Sequence, residues 1–492
     1  MMTERFEKLY IGGEWIDPIE GEIVDTIDPS TGQPWAKVAY GGAADVDKAV
    51  AAARAALEGP WSKLSAFERA AMLRRFATIY DTHVEQLIQW ESRDNGRPVR
   101  ETGPDIRNHW QWYNYYAGFA DKIDGRTIPT DPGMLVYTQR LPVGVVGAIL
   151  PWNAPLLLTA WKMAPALAAG CTIVIKPAET TSVTALQLGK IAEEAGIPPG
   201  VINIVPGYGA TVGARLVEHP DVDKISFTGE HRTAQRIMAA AAGTLKRFSC
   251  ENGGKSAHIL FADADLDNAL NAATHAAFMA TGQSCALGSR LLVERSIYKK
   301  VVEEVARRSA QIRAGSPLDI GTQIGPHANA QQLEKTLGYV DIGKGEGARL
   351  VAGGHRLAPD GMKDGYFIAP TVFADVDPAM RIAQEEIFGP VCSIIPFDTE
   401  EEAVAIANGT IYGLTAGLWT QNVGRAHRVA NAIRAGTVWV NSYRYLRTAI
   451  PYGGFGRSGL GRENGPEGLD AFLEPRAVIM NLSGAYPNPY AS

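Results

Sequence analysis

Cysteine is scarce: Cys171, Cys250, Cys285 and Cys392 are the only four in 492 residues, and none forms a CxxC pair. That spacing excludes a disulfide scaffold and a zinc finger, and it suits a reducing compartment. No apolar run approaches the roughly 20 residues that a membrane-spanning helix needs. The most apolar stretch, Leu141–Trp152, has the length of a strand. Basic clusters are missing too, and the net charge of −6 gives no electrostatic reason to bind nucleic acid or an anionic membrane. Met1–Tyr10 is charged and lacks the apolar core of a signal peptide, so a cytoplasmic location is expected. Neither an internal repeat nor a low-complexity segment is found, which excludes solenoids and linker arrays.

What is present is a long chain with 46% hydrophobic and 20% charged residues, enough for two or three globular domains. Short β-rich runs bounded by Gly or Pro lie at Val143–Leu150, Thr172–Lys176, Val201–Val205 and Lys224–Phe227. A helical pattern from Ser182 to Ala195 sits between two of them and stops at Gly196. Strand–helix–strand alternation predicts an α/β fold with a Rossmann-like parallel sheet. A second alternating set predicts strands at Ala257–Phe261, Arg290–Val293, Val391–Phe397, Leu414–Thr420 and Thr437–Asn441. Its helices are predicted at Asp265–Ala280 and Ser296–Arg313. Two α/β domains are therefore expected to meet near residues 252–256. The first 45 residues and the tail after Glu474 look extended and peripheral.

Four places carry residue types suited to chemistry. Cys285 lies in Thr281-Gly-Gln-Ser-Cys-Ala-Leu-Gly-Ser-Arg290, where a glycine turn after a helix can present a thiol to a cleft. Nearby dipoles or cations are expected to favour its reactive thiolate; a lone Cys is more often a small buried hydrophobe. Glu251, in Cys250-Glu-Asn-Gly-Gly-Lys-Ser256, is a strand-end carboxylate that suits a general base if partly desolvated, or else a surface ion pair. Asn153, in Pro151-Trp-Asn-Ala-Pro-Leu156, is placed either to donate to a developing oxyanion or to cap a helix. Gly207-Tyr-Gly209-Ala-Thr-Val-Gly213 is a loose dinucleotide fingerprint, and Phe227-Thr-Gly229 also leads from a strand into a helix. Either is equally compatible with a tight turn.

Taken in order, Pro-Trp-Asn, Lys-Pro-Ala-Glu, Phe-Thr-Gly, Glu-x-Gly-Gly-Lys, Gly-Gln-x-Cys, Glu-Ile-Phe-Gly-Pro and Gly-Gly-Phe-Gly-x-Ser-Gly closely resemble the aldehyde dehydrogenase superfamily, from about Tyr10 to Leu473. The Glu251-to-Cys285 spacing is similar to that of its hydrolytic branch. The resemblance implies NAD-dependent oxidation of an aldehyde to a carboxylic acid. Cys285 would be the nucleophile, forming a thiohemiacetal and then a thioester. Asn153 would hold the oxyanion, and Glu251 would activate water. Lys162 and Glu463 match positions that relay protons, or form a buried ion pair.

For the cofactor, the resemblance implies Lys176 and Glu179 at the adenine-side ribose, where a carboxylate would repel the 2′-phosphate of NADP and favour NAD. Glu386 and Phe388 would meet the nicotinamide ribose, and Thr228 the nicotinamide. Trp152, Gly209, Gly229 and Asn252 complete the set; no metal is expected. The expected tunnel is Trp110, Tyr113, Leu157, Trp161, Ser284 and Leu446, suited to an apolar aldehyde. Arg444 and Arg447 offer a second reading, the carboxylate of an ω- or muconic-type semialdehyde. A third reading is a non-catalytic protein of the same fold.

Three departures stand out. Glu230-His231-Arg232 replaces a small hydroxyl residue, Thr and Glu after Phe-Thr-Gly. Asn252 replaces a leucine. Ala154 and Leu446 replace bulky aromatics, which would widen the tunnel. The implied domains are residues 1–120 with 143–253 for NAD and 254–457 for catalysis. Residues 121–142 and 458–492 would be strands and tail that build a homodimer or homotetramer. Partners would be a small-molecule aldehyde, with no nucleic acid and no membrane.

Overall fold

The computed structural model describes residues 6–19, 22–359 and 361–490. Part of Met1–Tyr10, read above for a signal peptide, and the last two residues of the tail lie outside them. Two large sheets organise the chain.

The first sheet has eight strands, in the order Gly459–Leu460, Arg247–Glu251, Lys224–Thr228, Val145–Ile149, Thr172–Lys176, Ile202–Ile204, Leu9–Ile11 and Glu14–Ile16. Its five central strands run parallel and its edges antiparallel. Val145–Ile149, Thr172–Lys176 and Lys224–Thr228 are buried along their whole length, as parallel strands covered on both faces must be. Strand order reverses at Val145–Ile149, which opens a crevice at the carboxyl ends of the strands. Asn153, Lys176, Thr228 and Glu251 all stand at or just beyond those ends.

The second sheet has seven strands, in the order Arg349–Ala352, Thr371–Ala374, Val391–Phe397, Arg290–Glu294, Ala257–Leu260, Thr415–Trp419 and Thr437–Val440. Only the first pair is antiparallel. Cys285, Glu386 and Phe388 lie just before strands of this sheet. The carboxyl ends of one sheet thus face segments entering the other.

Two helices brace the crevice. Ala66–Asn95 starts with a Ser65/Glu68 capping box and ends at Gly96, whose φ of 81° suits a left-handed cap. Pro155–Ala169 carries proline in its first turn and is buried on nearly every face. The Glu91 carboxylate accepts from the Leu156 N–H at 3.2 Å, and Asn95 donates to the Asn153 carbonyl at 3.3 Å. The long helix thereby holds the loop that carries Asn153.

Two segments differ from expectation. The chain rejoins the first sheet at Gly459–Leu460, which pairs with Cys250 and Glu251, so this part of 458–492 is sheet rather than tail. The register there aligns Gly459 beside Glu251, where an added Cβ would lie 2.5 Å from the Cys250 carbonyl oxygen. Met134–Pro142 and Leu473–Asn481, expected to pair between subunits, pair with each other inside one chain, with Thr127–Ile128 alongside. Among the described residues no helix is long and apolar enough to cross a membrane.

Candidate active site

Asn153, Glu251 and Cys285 share one cavity of about 230 Å³, together with Trp152, Thr228, Gly229, Glu230, Asn252, Glu386 and Phe388. Three elements present the central trio. The helix Leu266–Phe278 stops short of the expected Ala280 because Ala280 and Thr281 take φ of 50° and 56°. For a β-branched residue this is a strained conformation, costing on the order of 1–3 kcal/mol. The turn is held by its neighbours: Glu101 accepts from the Ala280 N–H at 2.9 Å, and Thr281 donates to the Gly325 carbonyl at 3.1 Å. At Gly282 a Cβ would lie 2.0 Å from the Gly389 backbone, so only glycine lets this turn pack against Phe388-Gly-Pro390.

Cys285 is half-buried, and its Sγ lies 3.4 Å from the Tyr452 hydroxyl. Burial pushes the thiol up to about 11. This corrects the expectation that local charge lowers it: the nearby Glu386 and Glu251 carboxyls act in the same direction as desolvation, against the Tyr452 hydrogen bond and Arg444. Asn153 does not cap the following helix, whose N-cap is Ala154; its amide donates to the Gln283 carbonyl at 3.0 Å, beside the thiol.

Glu251 ends a strand with 5% exposure, and its Oε2 has no hydrogen-bond partner among the described residues. Burial raises its carboxyl well above the usual range, and the Glu463 carboxylate adds to the effect against Lys162. The Lys162 ammonium, wholly buried, donates to Glu463. Glu251, Glu463 and Lys162 therefore form one electrostatically linked group behind the cavity.

The cofactor candidates fall into two clusters. Lys176 and the Gly209 N–H both donate to Glu179 Oε1, at 3.3 and 2.7 Å. The others line the cavity. The Thr228 hydroxyl is buried there without a partner among the described residues. Glu386 accepts from the Gly254 N–H at 3.0 Å, and burial lifts it to about 7. A Cβ at Gly253 would meet Glu386 at 1.9 Å, so glycine is needed for this approach. Trp152 meets Phe388 edge-on at 5.2 Å. Asn252 turns its amide away, toward the Arg457 carbonyl at 3.1 Å. Glu230 precedes the helix His231–Ala241 and lies 3.7 Å from Arg232. Among the described residues no His, Cys, Asp and Glu cluster suits a metal.

A second, outer cavity of about 430 Å³ is lined by Leu157, Trp161, Leu446, Arg444 and Arg447, with Trp112, Arg97, Arg100, Glu101 and Asp105. Leu157 faces this cavity while Leu158 faces the inner one. The expected Trp110 and Tyr113 do not line it. Tyr113 is fully buried against Phe76 and Tyr80, and Trp110 packs half-buried on the same core. The helix Trp110–Ala117 turns Trp112 toward the cavity instead, where its indole donates to Asn464 at 2.7 Å. Ser284 is buried beside Cys285 and lines neither cavity. Trp112, Lys335 and Tyr452 are among the lining and contact residues that sequence reasoning missed; none lies in a motif singled out above.

A doubly built α/β fold with a Rossmann-like sheet and a thiol-bearing crevice is the class that these features define. The chain belongs to the aldehyde dehydrogenase family, whose profile matches residues 15–478. It is 47% identical to an aldehyde dehydrogenase of Enchytraeus buchholzi, covering 97% of this chain and 96% of that one. It is 46% identical to the mitochondrial aldehyde dehydrogenase family 2 member B4 of Arabidopsis thaliana, covering 97% and 88%. Among solved structures, an NAD+ complex of a Bacillus cereus aldehyde dehydrogenase superposes with a TM-score of 0.95 at 44% identity, covering 97% of each chain. A betaine aldehyde dehydrogenase of Staphylococcus aureus in complex with NAD+ gives 0.97 at 38% identity, covering 99% of this chain and 97% of that one.

Proposed function

We propose that this protein oxidises an aldehyde to a carboxylic acid with NAD, using Cys285 as nucleophile and Glu251 as general base. The observation that carries the reading is the convergence of Asn153, Glu251 and Cys285 on one cavity that also contains Thr228 and Glu386. The residues fit a dinucleotide: an unpartnered Thr228 hydroxyl and the Glu386 carboxyl line the cavity, and Glu179 stands with Lys176 and Gly209 at the neighbouring strand end. When bound, NAD supplies the hydride acceptor. Glu179 leaves no room electrostatically for a 2′-phosphate. Lys335 shares the cavity with Glu230, and with Arg232 it offsets the carboxylate near the pyrophosphate position.

The chain's own residues perform the rest. The Cys285 sulfur attacks the carbonyl carbon, and the Asn153 amide donates to the oxygen as charge develops there. Glu251, ionised, takes a proton from water, which hydrolyses the thioester. Its buried acid form then passes that proton toward Glu463 and Lys162. Protein, NAD and a panel of aldehydes give rising NADH absorbance; undiminished turnover by Cys285→Ala would end this reading.

One observation favours a carboxylated aldehyde within that panel. Arg444, held at φ 59°, donates only to the Met279 sulfur at 3.0 Å and makes no ion pair among the described residues. Arg97 is occupied by Asp105 at 2.6 Å, and Arg447 stacks on Tyr445 at 4.4 Å. This guanidinium acts on Glu101 and Asp105 through space without a direct ion pair, shares the cavity with Trp112 and Trp161, and suits a carboxylate at the far end of a short chain. The reading fails if Arg444→Ala leaves the kcat/KM ratio of carboxylated to neutral aldehydes unchanged.

Residues 1–120 and 143–253 would serve the cofactor and 254–457 the catalytic thiol. The sheet of Met134–Pro142 and Leu473–Asn481 exposes Ile479, Met480 and Leu482, which supports a homodimer or homotetramer built on it. Light scattering after size exclusion tests this. A cytoplasmic site is supported by four free cysteines.

A further inference from the structure

Tyr452 lies outside every motif, yet its hydroxyl is the one side-chain group in hydrogen-bond reach of the Cys285 sulfur among the described residues, at 3.4 Å. Its ring is fixed from two sides. Trp161 meets it edge-on at 5.0 Å, and its backbone exchanges hydrogen bonds with Glu463 at 2.6 and 2.7 Å. The residue is 3% exposed. A phenol held this rigidly is set by the fold rather than by the thiol.

The charges around the sulfur come from several elements. Glu251 approaches from the end of Arg247–Glu251 and Glu386 from the loop before Val391–Phe397. Arg444 approaches from the loop after Thr437–Val440, and the Tyr443 hydroxyl donates to the Ala286 carbonyl at 3.1 Å. Both carboxyls and burial oppose a thiolate. Arg444 and the Tyr452 hydroxyl alone favour one. While the sulfur is a thiol, either partner can donate. Once it ionises, only the phenol can, and a hydrogen bond to an ionised acceptor is the stronger kind.

We propose that Tyr452 is a positioning residue for the nucleophile: its hydroxyl donates to the Cys285 thiolate, holding the sulfur in the orientation seen here and favouring its ionised form before substrate arrives. The inference rests on Cys285 being the nucleophile, but it is read on the thiol itself. Attack on the aldehyde then removes the negative charge from sulfur and moves it to the carbonyl oxygen, so the phenol's grip weakens as Asn153's begins.

The test is alkylation of Cys285 by iodoacetamide, followed by mass spectrometry across pH in the NAD-free protein. Tyr452→Phe keeps the ring against Trp161. It is expected to displace the rate profile up by about one pH unit, slowing alkylation about tenfold at each pH from neutral to mildly alkaline. Replacing Tyr452 by 3-fluorotyrosine, a more acidic donor in the same shape, should displace the profile down. Profiles unchanged in both proteins would make Tyr452 a ring filler and overturn the proposal. Because alkylation needs no turnover, this outcome is distinct from Cys285→Ala retaining activity, which would overturn the catalytic reading.

Discussion

The inner and outer cavities are lined by neighbouring residues of one helix, Pro155–Ala169, yet they differ in kind. The inner one gathers two carboxyls whose ionisation burial shifts to higher pH, Glu251 and Glu386, around a thiol that burial shifts the same way. The outer one sets Arg97, Arg100, Arg444 and Arg447 against Glu101 and Asp105, an excess of positive charge. Leu157 and Leu158 mark the wall between them. The contrast teaches a division of labour: groups that must change protonation are desolvated, whereas Arg444 and Arg447, the charges suited to recognising a substrate's far end, stay partly or largely in water while Arg97 is buried against Asp105.

Breaking the inner cavity should cost most. Cys285→Ala is expected to lower kcat by about four orders of magnitude or more in the NADH assay, since no other group can carry the acyl chain. Asn153→Ala should lower kcat by about 10²–10³, the usual cost of one oxyanion donor, without a comparable change in NAD affinity measured by fluorescence quenching. Glu251→Gln should slow steady-state turnover by about 10²–10³ while preserving a stoichiometric NADH burst in stopped flow.

The pH dependence sharpens the same point. Burial raises the Glu251 carboxyl, so its acid form persists to higher pH than usual and the working base appears only as pH rises. Thioester hydrolysis should therefore climb with pH, and this limb should vanish in Glu251→Gln. The outer cavity yields the smallest effect: Arg444→Ala should reduce kcat/KM for a carboxylated aldehyde about tenfold and leave a neutral aldehyde within about twofold. An equal loss on both substrates would erase the distinction between the cavities.

Much of this was legible in the sequence, for physical reasons. Thr172–Lys176 and Val391–Phe397 have the bounds expected, because short β-rich runs that meet a Gly or Pro at one end leave a buried strand few alternatives. Asn153, Glu251 and Cys285 were accessible because each sits where a strand or helix gives way to a turn. The rotation of Trp110–Ala117 was not. Trp110, Trp112 and Tyr113 are all large aromatics, and only packing against Phe76 and Tyr80 decides which one is core. The state of the thiol was not legible either, since desolvation is a property of the closed cavity and not of neighbouring residues in the chain. Tyr452 is 167 positions from Cys285 and meets it only through the fold.

In the proposed cycle the substrate becomes covalently attached to Cys285 and Glu251 releases it. The direct measurement is intact and peptide mass spectrometry of Glu251→Gln, quenched after mixing with NAD and a reactive aldehyde. An acyl adduct is expected on the peptide carrying Cys285, formed in step with the NADH burst. NADH produced with that peptide unmodified, or an adduct on Cys171, Cys250 or Cys392, would contradict it.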